Sequence, residues 1–328
     1  MPRLLRYAAP ALAAMLLTTS CGSSTPETAA AGLDPKNPMT IKVGEVAGIP
    51  SAFLQYGQNQ GFFTKHGLDL KIETAAGGAA IIPGIVSGDY AMGGSNIVSV
   101  VLATSKGLPI RMVTSGTSIG QTKKDDFSAV LVRPGSGIRE PADLEGKTIA
   151  VNTLENISDV TVKAALEKHG VDPASVKLTE VGFPEMLPAL EKGEIDAVHE
   201  IEPFVTLGIA GGFEPIVWPY AESRPGMQIG SYVTHERYLS EHPDVVKAFQ
   251  AGIADTAAAI EKDPEAFRKA LPDLSELSPE AAQQAVLPVW RASADPASIE
   301  FASKKMIDYG LIDAPVDVDK ILAPGATS

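Results

Sequence analysis

Short runs rich in β-branched residues take turns along this chain with longer apolar-polar runs of helical character. Residues 40–46 (TIKVGEV) read as a strand, followed by a turn at Gly48-Ile49-Pro50. Residues 51–66 read as a helix stopped by Gly67, whose freedom at positive φ suits a C-terminal cap. Residues 68–74 alternate as a strand. Gly77-Gly78 then opens a helix that runs to Ser87. Residues 90–94 predict a short strand, 97–105 a helix and 110–115 another strand. The same grammar restarts near residue 147. Strands are expected at 148–152, 176–181 and 196–199, with helices at 158–169 and 184–192. Ser158 is the expected N-cap of the first of these helices, and Gly170 follows its end. Strands alternating with helices imply a mostly parallel α/β sheet. Residues 240–310 are helix-rich, with helices expected at 242–262, 264–270, 279–292 and 296–309. Prolines near several starts suit first-turn positions.

The two halves share words. Lys65-His66-Gly67-Leu68-Asp69 returns as Lys168-His169-Gly170-Val171-Asp172. Pro83 and Gly88 at the end of one helix match Pro188 and Gly193 at the end of another. Two matches in the same order imply two lobes on one plan. Extended segments at 127–133 and 229–234 would connect them, and a double crossover is a natural hinge. Lobe one is then 39–128 plus 232–328, and lobe two 132–228. The cleft between two such lobes is a usual place for a small-molecule site.

Charge and cysteine count narrow the partners. The 328 residues hold 27 Lys and Arg against 40 Asp and Glu, a formal charge of −13. Residues 1–21 (MPRLLRYAAPALAAMLLTTSC) carry Arg3, Arg6 and no acid, so without them the charge is −13 − 2 = −15. Nucleic acid is excluded as a partner, because phosphate binding needs clustered Lys and Arg. No run of about 18 apolar residues follows the N-terminus, which argues against a membrane-spanning body. Cys21 is the only cysteine, so structural disulfides and cysteine-based zinc sites are excluded. The basic start, the short apolar stretch 8–17 and the small residues Thr18-Thr19-Ser20 have the layout of a secretory signal. Cys21 stands where cleavage should occur. This resembles the lipobox of bacterial lipoproteins, in which that cysteine is diacylated, although Thr18 occupies the usual Leu position and Leu17 lies one further back. Residues 22–38 are small, polar and proline-bearing, and read as a flexible tether between lipid and body.

Several stretches resemble one family. Gly61-Phe62-Phe63-Thr64-Lys65-His66-Gly67-Leu68-Asp69-Leu70 is similar to the GxFxKxGLDV signature of the substrate-binding proteins of nitrate, sulfonate and taurine ABC importers. Thiamine-pyrimidine and riboflavin binders are relatives of these. Residues 143–151 (DLEGKTIAV) resemble the family's DLKGKKVAV. Residues 193–198 (GEIDAV), followed by Glu202-Pro203-Phe204, resemble its GEVDAxxxWEPF. The likeness covers about residues 40–320. It implies a two-lobed periplasmic-binding-protein fold with a two-strand hinge. It also implies an extracytoplasmic monomer that carries a small solute to a permease and ATPase on other chains. It implies no cofactor, no metal and no catalysis. A sulfonate, taurine-like or nitrate-like solute is expected; the alternatives are an aminopyrimidine or other aromatic solute, or a two-lobed enzyme of the same fold.

In a doubly wound lobe, ligands sit at strand ends and helix starts, where free N–H groups and the positive helix end favour anions. That selects Gly48, Pro50 and Ser51 after the first strand, and Gly77, Gly78 and Ala79 before the second helix. It also selects Ser95 and Asn96, then Thr117 and Ser118. From lobe two come Asn152, Thr153, Asn156, Ser158 and Glu202. The resemblance places the same positions in the cleft. Gly77-Gly78 stands out, since glycines allow close backbone approach. Glu202 either receives a ligand amine, with Phe204 packing on its carbon skeleton, or only caps the next helix. Phe53, Tyr56 and Tyr90 could reach the cleft. No Lys or Arg falls in this lining, which tilts the expectation from a bare oxyanion towards a neutral or zwitterionic solute.

Enzyme motifs do not complete themselves. Gly116-Thr117-Ser118-Ile119-Gly120 matches the G-x-S-x-G elbow, but the polar residues 121–126 cannot supply the helix that the elbow demands. His199-Glu200 begins H-E-x-x-H, and the fifth residue is Pro203. His66 and His169 are expected to serve helix C-termini. The phosphate-binding G-x-x-x-x-G-K-[ST] is missing, so a transport ATPase would be another chain.

One acyl chain holds a protein to a membrane only marginally, and two anchor it stably. Cys21→Ala should therefore release the protein from membranes or leave an uncleaved precursor. Processing and membrane fractionation identical to the wild type would refute lipidation at Cys21.

Overall fold

The computed structural model describes residues 32–275 and 277–327. The signal segment 1–21, with Cys21, and residues 22–31 of the expected tether lie outside the described residues. Leu33 already packs on the body and Met39 N–H donates to Gly67 O at 2.8 Å, so the last part of the expected tether belongs to the folded unit.

The first half runs β1 (Met39–Val46), α1 (Ile49–Asn59), β2 (Leu68–Ala75), α2 (Gly78–Ser87), β3 (Met92–Asn96), α3 (Ile97–Ser105), β4 (Ile110–Ser115) and the two-residue β5 (Thr117–Ser118). The chain then passes to β6 (Ser128–Val132), β7 (Thr148–Val151), α4 (Ile157–Lys168), β8 (Lys177–Glu180), α5 (Phe183–Lys192), β9 (Ala197–Ile201), α6 (Phe204–Ala210), β10 (Glu214–Val217) and α7 (Pro219–Ser223). It returns through β11 (Gly230–His235), α8 (Glu236–Glu241), α9 (Pro243–Lys262), α10 (Pro264–Leu274), α11 (Pro279–Gln284), β12 (Val289–Trp290), α12 (Pro296–Asp308) and α13 (Val318–Ile321).

Two five-stranded sheets result, ordered β2-β1-β3-β11-β4 and β8-β7-β9-β6-β10. In each, three parallel strands come first and an antiparallel strand follows. The antiparallel strand arrives from the other half in both cases. β6 enters the second sheet straight from the first half, and β11 enters the first sheet on the way back. The repeated Pro and Gly words fall at equivalent places. Pro83 lies inside α2, which Gly88 ends at φ 85°, and Pro188 lies inside α5, which Gly193 ends at φ 74°.

The predicted elements mostly form, with differences that packing explains. The helix expected over 51–66 ends at Asn59. Gly61 turns at φ 77°, and a short 3-10 turn at Thr64–His66 precedes Gly67. The turn brings Phe63 back under α1, where it packs on Phe249 with ring centroids 5.7 Å apart. The helix expected over 279–292 stops at Gln284. Arg268 takes the carbonyls of Ala282 and Ala285, and Val289–Trp290 pairs with β5 instead. α10 continues to Leu274, and the strands expected at 90–94 and 196–199 sit at 92–96 and 197–201. α10, α11 and α12 begin with a side-chain cap from Asp263, Ser278 and Asp295, each followed by Pro in the first turn. Asn156, not Ser158, is the N-cap of α4, and its carbonyl oxygen accepts from Ile157 N–H. His66 and His169 reach the carboxylates of Asp255 and Glu222.

Phe53 stacks on Trp290 with centroids 4.9 Å apart, and Tyr56 meets Phe267 edge-on. Tyr90 lies against Gly44 and Gly84. The three aromatics that could have reached a cleft are therefore packing residues. α1 and α9 approach closely. A Cβ at Gly252 would stand 2.3 Å from the Phe63 ring, and one at Gly57 2.3 Å from Thr256 Oγ1. Gly252→Ala overfills this contact and should cost about 1–3 kcal/mol of unfolding free energy. Denaturant titration checks it, and an unchanged midpoint would mean that the ring has room to move.

Candidate functional site

A cavity of about 60 Å³ lies between the two sheets. Its lining comes from strand ends and helix starts on both sides. The first half contributes Glu45 and Val46 at the end of β1, Pro50 in α1, Gly78 at the start of α2, and Gly94, Ser95 and Asn96 in β3. Gly116 and Thr117 flank the end of β4, and Gly230, Ser231 and Tyr232 come from β11. The second half supplies Asn152, Asn156, Ile157 and Ser158 after β7, Phe183 at the start of α5, and Ile201. Phe127 and Tyr220 complete the wall, with their rings edge-on at 5.3 Å.

Eight of the residues expected from the sequence line this cavity: Pro50, Gly78, Ser95, Asn96, Thr117, Asn152, Asn156 and Ser158. The others are placed behind it. Gly48 turns at φ 100° against the Glu202 carbonyl, and Ser51 Oγ donates to Gly48 O at 2.9 Å. Gly77 is the N-cap of α2, and a Cβ there would meet Asn152 Nδ2 at 2.5 Å. Ala79 is half-buried in the first turn of α2, and Thr153 Oγ1 accepts from Asn156. Ser118 is fully buried in the ribbon with β12, so no elbow forms.

Glu202 does not reach the cleft. Its carboxylate accepts from Thr206 N–H at 3.1 Å, Thr206 Oγ1 at 2.9 Å and Val286 N–H at 3.0 Å. It caps α6 and ties down the loop before Pro288. Pro203 is the cap position, and Phe204 packs in the core against Phe183. The sequence pattern could not separate this use of Glu202 from ligand binding, because a carboxylate before a helix suits both. His199 and Glu200 also lie away from the lining. Burial holds His199 neutral, with its pKa lowered to about 3, and raises that of Glu200. Among the described residues no cluster of metal-ligating side chains occurs.

Among the lining residues that sequence reasoning missed are Glu45, Gly94, Tyr220, Ser231 and Tyr232, with Phe127 and Phe183. Glu45 sits at the end of a predicted strand that reads as ordinary alternation. Tyr232 comes from the return crossover, some 190 positions from Glu45 in the chain. Burial pushes Glu45 up to about 7, against hydrogen bonds from Val46 N–H and the Tyr232 hydroxyl. Asp126, beside Tyr220, is likewise pushed up to about 7, although it accepts from Ala221 N–H and from Ser128. No Lys or Arg lines the cavity among the described residues.

Asn156 joins the two halves. Its Oδ1 accepts from Asn96 Nδ2 and, at 3.1 Å, from Ser99 Oγ, while still capping α4. Asn96 is itself the N-cap of α3, accepting from Ser99 N–H. Two helix caps therefore meet across the cleft. Asn152 adds a second link by donating to Ala76 O at 3.1 Å, and Ser158 Oγ holds Asn152 Oδ1 at 2.9 Å. Outside the cleft, Lys305 on α12 reaches Glu167 on α4 at 2.5 Å.

Residues 50–267 match the family model described as NMT1/THI5 like. The taurine-binding periplasmic protein of Escherichia coli is 26% identical over 206 residues, covering 61% of this chain and 60% of that protein. A 4-amino-5-hydroxymethyl-2-methylpyrimidine phosphate synthase of Schizosaccharomyces pombe is 22% identical over 225 residues, covering 63% and 61%. The match thus spans about three-fifths of these relatives' length. The alkanesulfonate-binding protein SsuA of Xanthomonas axonopodis pv. citri, solved with MOPS, superposes with a TM-score of 0.71 at 17% identity, over 89% of this chain and 99% of that one. The fold is that of the periplasmic binding proteins.

Removing the Asn156 amide deletes a helix cap and leaves the buried Asn96 amide without its partner. Asn156→Ala should therefore cost about 1–3 kcal/mol. It should also expand the molecule, read as a larger radius of gyration in small-angle scattering. Unchanged stability and unchanged dimensions would show that the bridge holds nothing.

Proposed function

The chain belongs to the NMT1/THI5-like family, and on that premise we propose that it is the solute receptor of an ABC importer. It works outside the cytoplasm, tethered by lipid on Cys21, and hands a small organic solute to a permease carried on other chains. The observation that carries this reading is the cavity shared by both sheets, bridged by Asn96 and Asn156 from opposite sides. A ligand touching both halves favours the closed arrangement, because only there are both contact sets made. The two crossovers are the hinge in this reading, and the segments before β6 and β11 absorb the motion.

Binding without covalent chemistry is supported by the lining itself. Ser118, the serine of the elbow-like motif, is paired through its backbone in the ribbon with β12, its hydroxyl has no hydrogen-bond partner, and it lies outside the cavity wall. His199 is sealed in the core and held neutral. The lining groups are aliphatic side chains (Val46, Pro50, Ile157, Ile201 and Ile229), aromatic rings, hydroxyls, amides and one carboxyl group. An oxyanion such as nitrate or a sulfonate would meet no cationic side chain there, which favours the amine-bearing alternative over the oxyanions.

A thermal-shift screen over taurine, alkanesulfonates, nitrate, aminopyrimidines and flavins tests the reading. A ligand at 100 times its dissociation constant stabilises by about 2.7 kcal/mol. One ligand per chain should be recovered chemically unchanged. A Cβ at Gly78 would lie 2.6 Å from Ser95 Oγ and 2.8 Å from Asn96 Nδ2, so Gly78→Val should abolish binding while Ser118→Ala leaves it intact. Turnover of a cleft ligand that Ser118→Ala removes would make the protein a hydrolase instead.

A further inference from the structure

Glu45 lies across three strands of the first sheet. Gly44 pairs with Gly93 between β1 and β3, so Glu45 follows beside Gly94, and Tyr232 of β11 stands opposite Gly94. A Cβ at Gly94 would be 2.1 Å from Glu45 Oε1 and 2.3 Å from Oε2. The carboxyl group therefore occupies the space that a side chain at residue 94 would fill. The Tyr232 hydroxyl bonds it from the far strand, and Val46 N–H donates to Oε1 at 2.8 Å. Glu45, Gly94 and Tyr232 all line the cavity. One step along the same strands, Ser95 pairs with Ser231. Both serines line the cavity, and both hydroxyls are buried without a partner. Facing this cluster are the rings of Phe127, Phe183 and Tyr220, with no lysine or arginine among the described lining residues.

A carboxyl group that is 3% exposed, with no cation to balance it, is costly to ionise. The helix starts around the cleft favour one negative charge, and Glu45 supplies it once ionised. A second negative charge on the ligand would repel the first at short range. An N–H-bearing cation would instead complete a charge-assisted pair, which is the stronger kind of hydrogen bond. Resting on the receptor reading above, we propose that Glu45 is the specificity residue of the cleft. It accepts from a basic, N–H-bearing nitrogen of the solute, an amidine or an amino-substituted nitrogen heterocycle whose ring lies against Phe127, Phe183 and Tyr220. Ser95 and Ser231 complete the polar contacts of that ligand.

The test is calorimetry on the full chain with benzamidine and 4-aminopyrimidine, against benzenesulfonate and ethanesulfonate. The nitrogen bases bind and the sulfonates do not. Glu45→Gln keeps size and the Tyr232 contact but removes charge, and it weakens benzamidine by about ten- to a hundredfold. pH adds a readout that a packing role would not move. Glu45 is pushed up to about 7, so protons compete with the benzamidinium cation below that pH. The titratable groups facing it are Tyr232 on its own sheet and Tyr220, backed by Asp126, on the other. Affinity for benzamidine therefore rises between about pH 6 and pH 8, and the rise disappears in Glu45→Gln. Gly94→Ala, which pushes the carboxyl group aside, is a second variant that weakens benzamidine if Glu45→Gln does not fold. Sulfonate binding that Glu45→Gln leaves unchanged and Gly78→Val abolishes would overturn the solute class and keep the receptor reading. Failure of all four probes, with no solute stabilising the protein in the wider screen, would overturn both.

Discussion

The pairing of β11 between β3 and β4 is the constraint on which the rest depends. This strand belongs by sequence to the end of the second half, yet it completes the first sheet. Its mirror image is β6, which leaves the first half and completes the second sheet. Each half therefore lacks a strand that only the other half's chain can deliver. The two α/β units cannot separate without breaking a sheet. The same pairing sets Tyr232 opposite Gly94 and Ser231 opposite Ser95, and so builds the polar floor of the cavity.

Charge sets the chemistry of the cleft. Relatives of this chain are named for taurine and alkanesulfonates. The cavity here holds a buried carboxyl group, a second acid behind Tyr220, and amide and hydroxyl groups. Helix starts from both halves point their N-terminal turns at this space, and Asn96 and Asn156 use their caps to bridge it. The polar groups are thus spent partly on holding the halves together. Those left without partners, Ser95 and Ser231, also line the cavity, one residue along the strands from Gly94 and Tyr232 and so on the other face of the sheet from Glu45.

Local chemistry made much of this legible. β-branched runs marked the strands, Pro and Gly marked the starts and ends of helices, and the repeated words marked two units on one plan. The rule that ligands sit at strand ends selected eight residues of the lining, because that rule depends only on where elements stop. It failed where a residue has two possible partners. Glu202 precedes a helix and could serve ligand or cap; its fate was decided by Thr206 and by Val286, which is 84 positions away. The sequence pointed to Ser158 as the cap of α4, whereas the structure uses Asn156, whose oxygen also meets Asn96.

The sequence by itself determined the element types, the two-unit plan, the absence of basic clusters and the candidate strand ends. These follow from periodicity, turn chemistry and composition, which act over a few residues. Only the tertiary structure decided which strand ends face one another and which carboxylate faces the cavity. Glu45 looks like any polar position in an alternating strand. It becomes a site residue because Gly94 leaves a gap beside it and Tyr232 arrives from the far end of the chain. Strand register across that distance is set by the packing of whole sheets, and no local pattern encodes it.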